Sequence, residues 1–245
     1  MARKSNKLSE PNPERLRLKN NHTWENGRRY HGYKSEFPFP DDYETKAGIV
    51  WRNLTNRKPF VVPLDLPLKK NIKILYVPAR SGAWLYSLRD SDDGTYAKAR
   101  VTGLKPAWMV NDSGPAWLLH QDLEGTWPFT AKEAFHLIHS EALGGLLKDW
   151  DGFYVDVFKH LVPGGWVEIR EHDLKFCPRG GKEKEMAGKW DATKQWSEVM
   201  DKAAQKFGKR INMGVKQKEL MEKDGLVDIQ EHVFKVNELS PLSLF

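Results

Sequence analysis

The stretch Ile72–Gly82, reading IKILYVPARSG, constrains this chain more than any other. Ile72, Ile74, Leu75 and Val77 form a short apolar run suited to a buried strand. A turn follows, and the residues from Ala83 to Leu88 suit a helix. Strand, turn and helix at the head of an α/β sheet is the arrangement that binds nucleotide cofactors. Glycines let the backbone approach the ligand there, and the helix N-terminus favours anionic groups. This turn holds Pro78, Arg80 and a single glycine, Gly82. The scaffold of a cofactor loop is present without most of its usual residues.

A chain of 245 residues suits one α/β domain with an extension. Ten tryptophans suit aromatic walls around an apolar ligand, and equally an ordinary core. The net charge of +6 comes mainly from the first twenty residues and from 175–218. It is not interleaved with aromatics on one face, so nucleic acid is not the expected partner. Cys177 is the only cysteine, which excludes an intrachain disulfide and a cysteine-built metal site. No apolar run is long enough to enter a membrane, and the N-terminus has no apolar signal core. A cytoplasmic protein is the resulting expectation.

Residues 1–21 are charged and poor in apolar side chains, a composition that predicts disorder. Residues 22–70 read as a cap or strap, with aromatics and arginines around Gly27 and Gly32 and then proline-rich extended chain. Such a segment closes a pocket or merely covers core. From residue 71 onward strands are expected at 72–77, 99–103, 117–121, 134–139 and 166–170. Trp150, Phe153, Val157, Phe158 and Leu161 recur at helical spacing, predicting a helix over 151–161 that Pro163, Gly164 and Gly165 stop. A helical insertion is expected at about 178–224, with Trp196, Val199, Met200, Ala203 and Phe207 as one apolar stripe. A helix over 215–224 ends at Gly225, and 226–234 reads as a last strand. The alternation predicts a mostly parallel sheet flanked by helices.

Several segments together resemble the fungal LaeA-like class I S-adenosylmethionine (SAM)-dependent methyltransferases. They are NGRRYHGY at 26–33, FHLIH at 135–139 with LGG at 143–145, KDW at 148–150, LVPGGWVEIRE at 161–171 and DIQE at 228–231. The resemblance covers about residues 24–236. It implies a Rossmann-like fold with a mostly parallel seven-stranded sheet. It also implies an acid followed by three alternating glycines where this chain has Tyr76, Pro78, Arg80 and Gly82, and then the family's tryptophan at Trp84. Lys105 stands where the family places the acid that holds the cofactor's ribose. Asp122 matches the acid near the adenine, so Gly82 and Asp122 are the cofactor-binding candidates. Glu141 stands where the family usually has arginine.

These departures bear directly on binding. A carboxylate accepting two ribose hydroxyls contributes roughly 1.5–3 kcal/mol, and lysine offers no acceptor. Arg80 and Lys105 would also repel a sulfonium. The leading expectation is therefore a methyltransferase-fold enzyme that uses no cofactor, a cyclase of Diels–Alder type or an isomerase on a small hydrophobic metabolite. Its pocket would be walled by Trp24, Tyr30, His31, Tyr33, Tyr76, Trp84, Trp108, Glu141 and Trp150. Holding the reacting ends together lowers a barrier without a cofactor. Arg80, Lys105 or His139 would polarise a carbonyl, and Glu171 or His172 would serve as base. A SAM-dependent methyltransferase and a non-catalytic regulatory partner are the alternatives. No phosphate-binding Gly-Lys-Ser/Thr loop, zinc helix or nucleophile elbow occurs, so no metal is expected.

Overall fold

The computed structural model describes residues 22–31, 51–56, 58–63, 72–78, 84–85, 88, 99–106, 118–121, 123–174 and 191–236. The segment 1–21 and the junctions of the expected strap and insertion lie outside them. Strands β1 (His22–Glu25) and β2 (Arg28–His31) form an antiparallel ribbon. Asn26 and Gly27 join them, both at positive φ, as a two-residue hairpin turn requires. Residues 51–54 are helical, and residues 58–63 have no helix or strand.

The main sheet contains β3 (Lys73–Val77), β4 (Arg100–Pro106), β5 (Leu118–Gln121), β6 (Phe135–Glu141) and β7 (Leu161–Arg170). Its order is β5-β4-β3-β6-β7, and every neighbouring pair is parallel. The chain winds outward from β3 in one direction and then, from β6, in the other. That is the Rossmann-like arrangement, and ligands bind at the carboxyl ends of the strands where the order reverses. The reversal here lies between β3 and β6.

Alternation along the strands divides the core into two faces. Leu75, Val77 and Ile138 pack on one face with Phe153, Tyr154 and Val157 of helix α1 (Trp150–His160). Ile74, Tyr76 and Leu137 pack on the other with Phe60, Trp84, Leu85 and Leu88. Burying each such large side chain stabilises by about 1.5–3 kcal/mol. Helix α1 is capped by Asp149, whose side chain accepts from the Gly152 N–H at 2.8 Å. Helices α2 (Asp191–Lys206) and α3 (Gln217–Lys223) follow the sheet. Gly225 at φ +83° ends the α3 region as expected.

Five strands of the main sheet lie among the described residues. Two expectations need correction. Residues 226–234 form no strand: Asp228 at φ +55° breaks the extended run, and Val227 and Val233 are exposed. Strand β7 begins at Leu161, directly after α1, because Leu161 already has extended φ −84° and ψ 140°. Pro163, Gly164 and Gly165 therefore lie within β7, where the register with β6 jumps from Phe135↔Leu161 to Leu137↔Trp166. Gly165 is required there, since a Cβ would meet the Val162 carbonyl oxygen at 2.8 Å and that of Phe135 at 3.1 Å. The apolar stripe of α2 faces solvent at several positions. Trp196, Val199 and Phe207 are exposed, and the buried residue of that helix is Ser197, which donates to the Leu174 carbonyl.

Candidate functional site

The strand registers place charged residues in two adjacent rows across the carboxyl edge of the sheet. Tyr76 is level with Gly103 and with His139, and His139 is level with Glu168. Two residues further on, Lys105 of β4, Glu141 of β6 and Arg170 of β7 come next on the same face. Lys105 is only 3% exposed.

A buried charge cluster fills the β6–β7 side of these rows. Arg170 donates from Nε to Glu168 Oε1 at 2.8 Å, from Nη1 to Glu141 Oε1 at 3.0 Å and from Nη2 to the Pro59 carbonyl at 2.7 Å. Trp51 stacks over its guanidinium, 5.9 Å from ring centroid to Cζ. Glu168 Oε2 accepts the backbone N–H groups of Val61 at 2.7 Å and Val62 at 3.2 Å. Val61 and Val62 are thereby held to the sheet through Glu168. A fork of guanidinium donors matched to carboxylates is the geometry in which such burial is tolerated.

His139 lies inside this cluster at 0% exposure. Its Nε2 is 3.3 Å from Glu141 Oε1 and its Nδ1 is 3.5 Å from Glu168 Oε1, but neither contact has hydrogen-bond alignment. Burial holds the imidazole below its ordinary range. Contact with Glu141 opposes this, and the Arg170 charge adds to it. Burial pushes the Glu141 carboxyl up, but His139 and Arg170 outweigh it, and the net direction is down.

The loop after β6 is held separately. Ala142 sits at φ +55° and donates its N–H to the Arg170 carbonyl at 2.8 Å. Glu171 accepts the Leu143 N–H at 2.6 Å and that of Gly144 at 3.2 Å, which fixes the loop beside the end of β7. Gly144 is required by close approach: a Cβ would lie 2.9 Å from the Ile211 carbonyl oxygen and 3.1 Å from Glu171 Oε2. Asp173 likewise accepts the Gly214 N–H at 2.8 Å. His172, between them, is half-buried.

Of the expected pocket residues, Tyr76, Trp84 and Glu141 come together, around the catalytic candidate His139. The Tyr76 ring lies 4.9 Å from that of Trp84, and Trp84 stacks on His139 at 4.1 Å. Trp150 does not join them, because it packs with Phe153 in the core on the opposite face of the sheet. Trp24 is 70% exposed on the β1–β2 ribbon, opposite Arg29, and walls nothing among the described residues. Tyr30 is half-buried on the same ribbon. His31 is placed by its backbone in β2. Tyr33, Arg80, Gly82, Trp108 and Asp122 lie outside the described residues. His139 is fully buried, and the carboxylate of Glu171 accepts backbone N–H groups. Sequence reading missed Glu168, Arg170 and the strap residue Pro59. The available signal was the pairing of charged or polar residues two apart on neighbouring strands, 139 with 141 and 168 with 170. Among the described residues no group of three or more His, Cys, Asp or Glu is placed to hold a metal ion, and no helix is long and apolar enough to cross a membrane.

No family model matches the chain. The methyltransferase pytC of Aspergillus terreus is 26% identical over 156 residues, covering 60% of this chain and 46% of that protein. The secondary metabolism regulator LAE1 of Cochliobolus heterostrophus is 26% identical over 231 residues, covering 89% of this chain and 71% of that one. This chain is similar to the fungal LaeA-like methyltransferases. The regulator laeA of Aspergillus fumigatus adds 25% identity over 206 residues, 82% of this chain and 52% of its own length. The LaeA-like chain thus spans about half the length of pytC and of laeA. A phosphoethanolamine N-methyltransferase 2 of Haemonchus contortus, solved with S-adenosylhomocysteine (SAH), overlays with a TM-score of 0.45 at 14% identity, covering 82% of this chain and 47% of that one.

The expectation of an enzyme without a cofactor does not stand. The pytC relative is named a methyltransferase, and methyl transfer requires a methyl donor.

Proposed function

We propose that this LaeA-like chain is a SAM-dependent methyltransferase acting on a small metabolite. The kinship with pytC over 156 residues carries this reading, and the reversal of strand order between β3 and β6 supports it. The cofactor-free cyclase reading falls with the correction above.

The edge residues fit a nucleoside in a modified way. Lys105 is buried at the end of β4, where its ammonium offers donors to the oxygen lone pairs of ribose hydroxyls. It offers no acceptor, so the sugar is held by fewer bonds than a carboxylate provides. By position in the sequence, Gly82 would approach the cofactor backbone-first and Asp122 would meet the adenine amino group. When bound, SAM would supply an electrophilic methyl group, which passes to a nucleophile while its sulfur leaves in SAH. The chain's own part is to align that nucleophile and take its proton. His172, half-buried just past the end of β7, is the residue we assign as base.

A second reading has one observation in its favour. The relatives that cover most of this chain are named regulators, and α2 exposes Trp196, Val199 and Phe207 along one stripe. A non-catalytic regulatory partner would use such a surface. Calorimetric titration with SAM and SAH, followed by a search for methylated products, separates the readings. Binding with turnover supports the enzyme, and binding without turnover on any metabolite favours the regulator. No binding at millimolar cofactor removes the methyltransferase reading.

A further inference from the structure

The carbonyl of Pro59 accepts two buried donors. Trp84 Nε1 reaches it at 2.6 Å and Arg170 Nη2 at 2.7 Å. A carbonyl oxygen has two lone pairs, so both are engaged. The two donors come from different elements. Arg170 ends β7, whereas Trp84 is helical and stands two positions after Gly82, in the chain that leaves β3. Trp84 is also fixed by its ring, which lies over His139 with 12° between planes and beside Tyr76. The next strap residues are held by the same cluster, through the Val61 and Val62 N–H groups on Glu168 Oε2.

The strap and the chain leaving β3 therefore meet at one atom. Lifting the strap leaves the indole N–H and a guanidinium N–H buried without that acceptor. Moving Trp84 withdraws one of the two donors that hold Pro59. Neither element shifts without cost to the other, which is the physical condition for two segments to be thermodynamically coupled.

We propose that Trp84, through the Pro59 carbonyl it shares with Arg170, is a positioning residue for the cofactor. Cofactor binding tightens the strap, and a loosened strap weakens cofactor binding by the same factor. This rests on the SAM reading above. It assigns the buried cluster a role beyond stability, because the cluster reports occupancy at the end of β3 to residues 59–62.

The test is amide hydrogen exchange at Val61 and Val62 in the full chain, with and without saturating SAH, alongside calorimetry on the same sample. The expected result is that SAH slows exchange at both amides by about fivefold or more. In Trp84→Phe, which keeps a stacking ring and removes the N–H, SAH binds more weakly and the slowing disappears. Arg170→Lys, which keeps the charge and loses the fork, gives the same loss if Trp84→Phe does not fold. A purely structural role would lower the melting temperature of these variants and leave the SAH-dependent slowing intact. SAH binding with no change at Val61 and Val62, or full slowing in Trp84→Phe, overturns the proposal. Absence of any calorimetric binding overturns the methyltransferase reading and this proposal with it.

Discussion

The imidazole of His139 lies flat against the indole of Trp84, with centroids 4.1 Å apart and planes 12° apart. Both rings are buried, and carboxylates of Glu141 and Glu168 approach the imidazole nitrogens at 3.3 and 3.5 Å. A histidine in this position does not exchange protons freely with solvent. Its neutrality is a property of the fold.

That neutrality sets an acid limit on stability. Folding holds His139 below its ordinary value of 6.5, so the unfolded chain takes up a proton first as pH falls. Stability therefore declines from about pH 6.5 downward. Glu141 is held below its ordinary value of 4.5, so its contribution is present above that value and is lost on further acidification. Both act in the same direction. Denaturant melts between pH 8 and 4 are expected to show a decline beginning near 6.5. In His139→Asn the decline above pH 5 should be smaller, with the lower one retained.

Arg170 holds Glu141, Glu168 and the Pro59 carbonyl together. Arg170→Ala leaves two carboxylates buried without their cation. Removing one partner of a buried pair costs about 3–5 kcal/mol, so the variant is expected to lose a large fraction of the stability of an ordinary domain, about 5–15 kcal/mol. Equilibrium unfolding in urea measures this. A loss under about 1 kcal/mol, the value for a surface pair, would contradict the buried cluster.

Lys105 faces the opposite demand. It is buried at the carboxyl end of β4, where an acceptor for ribose hydroxyls and a charge compatible with a sulfonium would bind SAM better. Lys105→Asp is expected to raise SAM affinity by about tenfold, from a charge-assisted bond of roughly 1.5 kcal/mol. The gain for SAH, which carries no sulfonium, should be smaller. Calorimetry with the two ligands reads the difference. Equal or weakened binding in the variant would show that Lys105 does not face the cofactor.

Much of the frame was legible because it follows from periodicity. The apolar run at 72–77 and the helical spacing of Trp150, Phe153 and Val157 give β3 and α1 nearly to the residue. Where an element ends was harder to read. Leu161 turns extended one residue after α1, and Asp228 takes a left-handed conformation in what reads as a strand. The candidate site was half legible. Tyr76, Trp84, His139 and Glu141 belong together, but which face of the sheet holds Trp150 depends on how α1 crosses it. The partnership of Arg170 with Pro59 spans 111 positions, and no local pattern announces a contact of that separation. The stripe on α2 shows the reverse failure, since helical periodicity marks an apolar face without saying what covers it.

A crystal structure with SAH bound tests the central claim most directly. The account predicts the nucleoside at the carboxyl ends of β3 and β4, its ribose beside Lys105, and the strap at residues 59–62 closed on Trp84 and Arg170. A nucleoside bound elsewhere, or crystals that exclude it at saturating concentration, would contradict it.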